Sequence, residues 1–133
     1  VLPTPEQIIP LAGEWSPSDD AMRYKSPVTL PGKHKALTFK RHVMIPAKRK
    51  GKNIILDVEA DGPVAGVIIN GHFIRRFHHL IAKHFQINIT PYVKYDENNE
   101  IELVNRVQDG NFIPQQVNIK NVALNVHDPQ IHP

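Results

Sequence analysis

The sequence contains no cysteine. That removes disulfide staples, thiol nucleophiles and cysteine-ligated zinc together, while leaving the redox compartment open. Serine is scarce too: Ser16, Ser18 and Ser26 all lie near the N-terminus, none in the Gly-x-Ser-x-Gly setting of a nucleophile elbow. No stretch approaches the ~18 consecutive apolar residues of a membrane-spanning helix. Nor does any segment repeat apolar residues at spacings of three and four over ten positions, which disfavours a helical bundle. The first residues lack a basic stretch followed by an apolar core, so no signal peptide is legible. Opening on Val1 and closing on Pro133, the chain reads as a processed product or an excised piece of something longer.

Proline, by contrast, is plentiful, with 12 in 133 residues, well above the usual ~5%. With 41% hydrophobic and 22% charged residues, the chain has the length and mixture of one domain with a real core. The net charge of +3 sits largely in one run, Lys48, Arg49, Lys50 and Lys52. Nucleic-acid binders on β folds add exposed aromatics for base stacking, and none neighbours this run in sequence. It reads as a charged connection that keeps sheet edges from pairing with other molecules, so neither nucleic acid nor membrane is expected as a partner.

Residues 1–35 are turn-rich and weakly periodic, with prolines that each withhold a backbone donor, and are expected to lie as a lead-in over the strands that follow at 36–127. From Leu37 the period becomes two: Leu37, Phe39, Val43 and Ile45 alternate against Thr38, Lys40, His42 and Met44 until Pro46. Ile54, Leu56 and Val58 then alternate against Ile55, Asp57 and Glu59. Asn70-Gly71 between two β-rich runs predicts a hairpin, because both residues tolerate positive φ. Further strands are expected around Phe85 to Ile89, Ile101 to Val107, Val117 to Ile119 and Val122 to Val126, with one helical turn near Thr90 to Val93. About eight short strands separated by turn signals indicate an all-β, antiparallel sandwich, and eight suit a jelly roll.

Glycoside hydrolysis needs two carboxyls facing each other across a sugar. Asp19, Asp20, Asp96, Glu97, Asp109 and Asp128 all fall in turn-like segments, where acids mostly serve solubility and turn hydrogen bonds. Asp57 and Glu59 share a strand's polar face and read as part of a solvated sheet surface. Catalysis by the chain alone is therefore not expected. His72, His78, His79 and His84 gather around one hairpin, yet no pair has helical ligand spacing, and neighbours on a strand point to opposite faces. Neither a metal nor a cofactor is expected. Sugar contact would need an aromatic ring beside Asn, Gln, Arg or acidic groups. Such a set occurs in Asp109, Asn111, Phe112 and Gln115, a loop on a rigid framework, and again in Arg75 and His79 after the hairpin. Asn88-Ile89-Thr90 also fits a glycosylation sequon, a weak signal on its own.

Several of these segments, in order, resemble the sugar-binding jelly roll of glycoside hydrolase family 2, within the broader galactose-binding-like fold. Gly13-Glu14-Trp15 is similar to that family's Gly-x-Trp opening, and Phe39-Lys40-Arg41 running to Ile45-Pro46 resembles its aromatic-basic-basic strand ending before proline. The apolar strand closing on Asn70-Gly71, and Phe85 through Asn88-Ile89-Thr90, resemble two further elements, although Asn88 stands where the family usually carries Asp. The resemblance covers roughly residues 11–126. It implies a non-catalytic accessory domain of a larger hydrolase of the β-galactosidase, β-glucuronidase or β-mannosidase type. Its partners would be that enzyme's catalytic domain and, weakly, carbohydrate, in an extracellular or periplasmic setting. It also implies that Trp15 packs the lead-in rather than touching sugar. A sandwich that docks on a catalytic domain without meeting sugar is the alternative, and the sequence does not separate the two.

Overall fold

The computed structural model describes residues 5–18, 26–61, 64, 66–76, 84–105 and 115–129, with the side chains of Arg75, Arg76 and Gln115 outside that description. Two antiparallel sheets face each other. In chain order the strands are β1 (Gln7–Pro10), β2 (Gly13–Ser18), β3 (Val28–Leu30), β4 (Gly32–Ala36), β5 (Thr38–Ile45), β6 (Asn53–Asp61), β7 (Gly66–Ile69), β8 (His72–Arg76), β9 (His84–Asn88), β10 (Glu97–Val104) and β11 (Gln115–His127). One sheet runs β1-β11-β6-β9, with β4 also on β11; the other runs β3-β2-β5-β10-β7-β8. The chain changes sheet at every connection except β2 to β3 and the β7–β8 hairpin. This interleaved winding is that of the expected all-β sandwich.

Among the described residues eleven strands stand where about eight were expected, and the surplus comes from the proline-rich segment. Instead of lying over the sandwich, residues 7–36 supply β1 to β4 to both sheets. Pro10 and Pro17 stand opposite Ala123 and Phe39 in the ladders, at positions where their nitrogens have no bond to donate. Pro10 ends the edge strand β1. β2 pairs β3 only through residues 13–15 and β5 only through residues 16–18. The Ser18 carbonyl accepts from the Leu37 N–H, so the nitrogen of Pro17 points to the side where no strand lies.

The two strands expected at 117–119 and 122–126 are one. β11 carries a bulge between Ile119 and Asn121, which inserts Lys120 and flips the alternation. Val117 and Ile119, then Val122, Leu124 and Val126, thereby all reach the core. The ammonium of Lys120 meets Asp61 on β6 at 2.8 Å. The same edge of β11 pairs β4 before the bulge and β1 after it.

Between the sheets lie Leu11, Trp15, Phe39, Ile45, Leu56, Ile69, Ile101, Leu103 and Leu124, all buried. Each such side chain contributes about 1.5–3 kcal/mol by leaving water. Trp15 is 1% exposed, and its indole Nε1 donates to the Leu11 carbonyl at 2.8 Å, so the ring's one polar atom is satisfied inside. It packs the N-terminal strands into the core.

The predicted hairpin forms with Asn70 at φ 49° and Gly71 at φ 85°, the signature of a type I′ turn. The expected helical turn is a 3-10 turn over Thr90–Tyr92.

Candidate functional site

The hydrogen-bond register fixes which strand termini share an end of the sandwich. Across the six-stranded sheet Ser18 pairs Thr38, Thr38 pairs Val104, Val104 pairs Gly66, and Gly66 pairs Arg76. Across the other sheet Ala36 pairs Gln115 and Glu59 pairs His84. Asn105 joins the two layers: its backbone N–H donates to Leu37 O at 2.7 Å and its Nδ2 to Ala36 O at 3.2 Å. Asn105 is fully buried and its Oδ1 has no hydrogen-bond partner. Beside it Ser18 and Thr38 share a 2.6 Å hydroxyl bond. This end therefore has a buried polar floor.

Of the sugar-contact residues expected from sequence, Arg75 and Gln115 belong to strands that reach this end. Arg75 lies in β8 opposite Val67, and Gln115 opens β11 opposite Ala36. His79, Asp109, Asn111 and Phe112 lie outside the described residues. The described strand termini on either side of them, Arg76 and His84, then Val104 and Gln115, belong to the same end of the molecule.

Asp57, read from sequence as part of a solvated face, is only 9% exposed. It sits on β6, the strand between β11 and β9, and its carboxylate accepts from Gln86 Nε2 at 2.9 Å and Asn125 Nδ2 at 3.2 Å, while His84 Nε2 lies 2.8 Å from its other oxygen. A carboxylate with both oxygens engaged in this way ties three strands together and turns no oxygen toward a substrate. The signal for this cluster is cross-strand register, which single-strand periodicity does not supply.

His84 is thus drawn to Asp57, while His72 opens β8 at the opposite end, its ring 5.4 Å from that of Tyr92. Of the histidines that adjoin one hairpin in sequence, His72 and His84 are thus separated in space, while His78 and His79 lie outside the described residues. Among the described residues no three His, Asp or Glu side chains come together as metal ligands would. At that opposite end the basic run forms a 3-10 turn over Ala47–Arg49. Lys50 Nζ stands 5.7 Å over the Tyr95 ring, an aromatic neighbour hidden in the sequence, and Lys52 pairs Glu6 at 3.2 Å.

A cleft of about 500 Å³ opens where β2 parts from β5, lined by residues including Gly13, Glu14, Ser16, Lys40, Arg41 and His42. Gly13, at φ 131°, lets the Arg41 guanidinium lie flat against β2; a Cβ there would stand 2.7 Å from Arg41 Nη1. That nitrogen donates to the carbonyls of Ala12 at 3.2 Å and Glu14 at 3.4 Å.

No family model matches the sequence, and no curated protein matches it. Solved structures do. The fold is similar to the β-D-glucuronidase of Dictyoglomus thermophilum at TM-score 0.71 and 18% identity, over 92% of this chain and 28% of that enzyme. It is similar also to the Lactobacillus rhamnosus β-glucuronidase at TM-score 0.71 and 18% identity, over 98% of this chain and 30% of that one. A glycosyl hydrolase family 2 member from Bacteroides cellulosilyticus matches at TM-score 0.58 and 17% identity, over 86% and 21% respectively. The chain thus spans under a third of the length of each of these three enzymes, and at these identities the likeness is one of fold: the sandwich seen here recurs as a part of much larger hydrolase chains.

Proposed function

We propose that the chain is a non-catalytic accessory domain of a larger glycoside hydrolase of the family 2 type, packing beside the catalytic domain and contacting glycan weakly through the end of the sandwich that carries Asn105. The observation that carries this reading is the coverage of the structural matches: nearly all of this chain against 28% and 30% of two β-glucuronidases. The ordered motifs from Gly13 to Thr90 support it independently. On the same resemblance the working compartment is extracellular or periplasmic.

For the glycan contact the supporting argument is positional. Residues 106–114 follow Asn105, and residues 77–83 join Arg76 to His84, so the expected set Arg75, His79, Asp109, Asn111, Phe112 and Gln115 is anchored to strand ends that share one end of a rigid framework. An open surface immobilises few hydroxyls, which holds the affinity for free sugars to the millimolar range, at most about 4–5 kcal/mol.

The test is a titration of galactosides, mannosides, glucuronides and rhamnosides against wild type and a combined Asn111→Ala, Phe112→Ala variant. Saturable binding lost in the variant supports glycan contact at that loop. Absence of binding at tens of millimolar leaves a domain whose role is to dock on its catalytic neighbour.

A further inference from the structure

We propose that Asn70 is a site of spontaneous deamidation that the folded chain holds closed, and that its conversion to aspartate or isoaspartate irreversibly marks chains whose hairpin end has opened. Asn70-Gly71 is the chain's one Asn-Gly pair, and every other asparagine is followed by a residue with a side chain. Gly71 has no Cβ, so nothing of its own shields its backbone nitrogen from the side chain before it.

The reaction needs only water. The Gly71 nitrogen gives up its proton and bonds to Cγ of Asn70, the Cγ–Nδ2 bond breaks, and Nδ2 leaves with that proton as ammonia. Water then opens the cyclic imide at one of its two carbonyls. Opening at Cγ leaves aspartate; opening at the main-chain carbonyl leaves isoaspartate, whose backbone runs through the former side chain.

In the folded chain the amide is held off this path. An amide nitrogen has two hydrogens to donate, and here Nδ2 donates to Tyr92 O at 2.8 Å and to Asn99 Oδ1 at 3.0 Å, while Oδ1 accepts from the Glu100 N–H at 2.9 Å. The main-chain N–H of Asn70 is itself bonded to Glu100 O at 2.9 Å. Turning Cγ toward the Gly71 nitrogen breaks the side-chain bonds together, those to β10 and the one to the 3-10 turn over Thr90–Tyr92. Gly71 is exposed and Asn70 half-buried, so water reaches the turn and the hydrogen bonds are the gate.

The product does not fit the same network. A carboxylate oxygen in place of Nδ2 would face Tyr92 O and Asn99 Oδ1, two acceptors, with no proton to offer. Asn99 is not free to turn its amide around, because its Nδ2 donates to Lys94 O and Glu97 O and its Oδ1 also accepts from the Lys94 N–H. Isoaspartate further lengthens the backbone of a turn that Ile69 and His72 close in register. A chain that has reacted is thereby withdrawn from the folding equilibrium, as happens when an opened state is chemically modified before it recloses.

The test follows Asn70 in the full chain at mildly alkaline pH, in buffer and across a urea series, by peptide mapping with mass spectrometry and isoaspartate detection. Asn70 should be the first asparagine to convert in denaturing urea and should convert at least about a hundredfold more slowly in buffer, where this end is closed nearly all the time. Asn99→Ala removes one holding bond and touches neither reacting residue; it should raise the rate in buffer about tenfold or more and leave the rate in denaturing urea unchanged. If Asn99→Ala does not fold, the wild-type urea series serves instead: conversion should track the loss of hydrogen-exchange protection at the Asn70 and Glu100 amides. Asn70→Asp, the product made directly, should unfold at lower urea than wild type. Conversion as fast in buffer as in urea, another asparagine reacting ahead of Asn70 in urea, an unchanged buffer rate in a folded Asn99→Ala chain, or conversion that does not follow exchange at those two amides overturns the proposal. An Asn70→Asp chain as stable as wild type overturns the irreversible character of the mark.

Discussion

The side chain of Asn70 donates to that of Asn99 at 3.0 Å, a side-chain link between the β7–β8 turn and the start of β10. Asn70 also donates to Tyr92 O and accepts from the Glu100 N–H. Asn99, 1% exposed, donates to the carbonyls of Lys94 and Glu97 and accepts from the Lys94 N–H. The Asn-Gly pair that marks the hairpin in sequence therefore does two separable things. Asn70→Gly keeps the positive φ and removes the side-chain bonds; Asn70→Ala loses both. Urea unfolding should show Asn70→Gly destabilised by about 1–3 kcal/mol and Asn70→Ala by more, as expected when buried partners are left unpaired. Equal losses would show that the bonds carry nothing beyond the turn.

Asn99→Ala leaves several part-buried backbone groups and Asn70 without partners at once. Its cost should reach about 3–4 kcal/mol, in the range kept for broken buried networks. The midpoint of chemical denaturation measures it, and a loss under 1 kcal/mol would contradict the account of this end.

Gly13→Ala should destabilise by about 2–4 kcal/mol, since it combines backbone strain at φ 131° with a 2.7 Å encounter with Arg41 Nη1. Combined with Arg41→Met, the encounter disappears and the strain remains, so the double variant should lose less than the sum of the single losses. Strict additivity would mean that the guanidinium does not lie where described.

Trp15 is the chain's one tryptophan and is buried. Its fluorescence should be neither quenched by iodide nor changed by any sugar. Trp15→Phe keeps most of the apolar bulk and loses the bond to Leu11 O, at about 1–2 kcal/mol; Trp15→Ala should cost about 3–5 kcal/mol by leaving a cavity. Sugar-dependent quenching would show that Trp15 faces ligand.

Lys120 binds its proton more tightly than an ordinary lysine, first because of its hydrogen bond to Asp61 and then the charge of that carboxylate. A pKa raised by folding means the bulge pair contributes fully below the ordinary lysine pKa, about 10.5, and is lost as pH rises through the higher folded value. Lys120→Met should remove that alkaline decline from the stability profile while leaving the neutral-pH fold intact. The pair is exposed, so the effect is small.

Periodicity revealed the fold wherever a strand has one dry face: β5, β6 and the β7–β8 hairpin stand at the expected residues. It missed β1 to β4 because proline in a sequence signals a break, whereas Pro10 and Pro17 sit where no ladder bond is required of them. It divided β11 because a bulge at Lys120 inverts the alternation, which in sequence looks like a new strand. The site was less legible. The Asp57 cluster and the Arg41 cleft are made by residues 27 and more positions apart, and nothing in the spacing of either partner announces the other. The resemblance to a known domain found the architecture, whereas the sugar-contact set was read from residue types, and four of its members, His79, Asp109, Asn111 and Phe112, lie outside the described residues.

The most direct test of the central claim is an amide-resolved titration of the isotope-labelled chain with oligosaccharides from family 2 hydrolase substrates. The account predicts fast-exchange shifts at the strand ends beside the Asn105 floor, at Gln115, Arg75 and His84, with millimolar saturation and no change at Trp15. Shifts absent from that end for every glycan at tens of millimolar would contradict it.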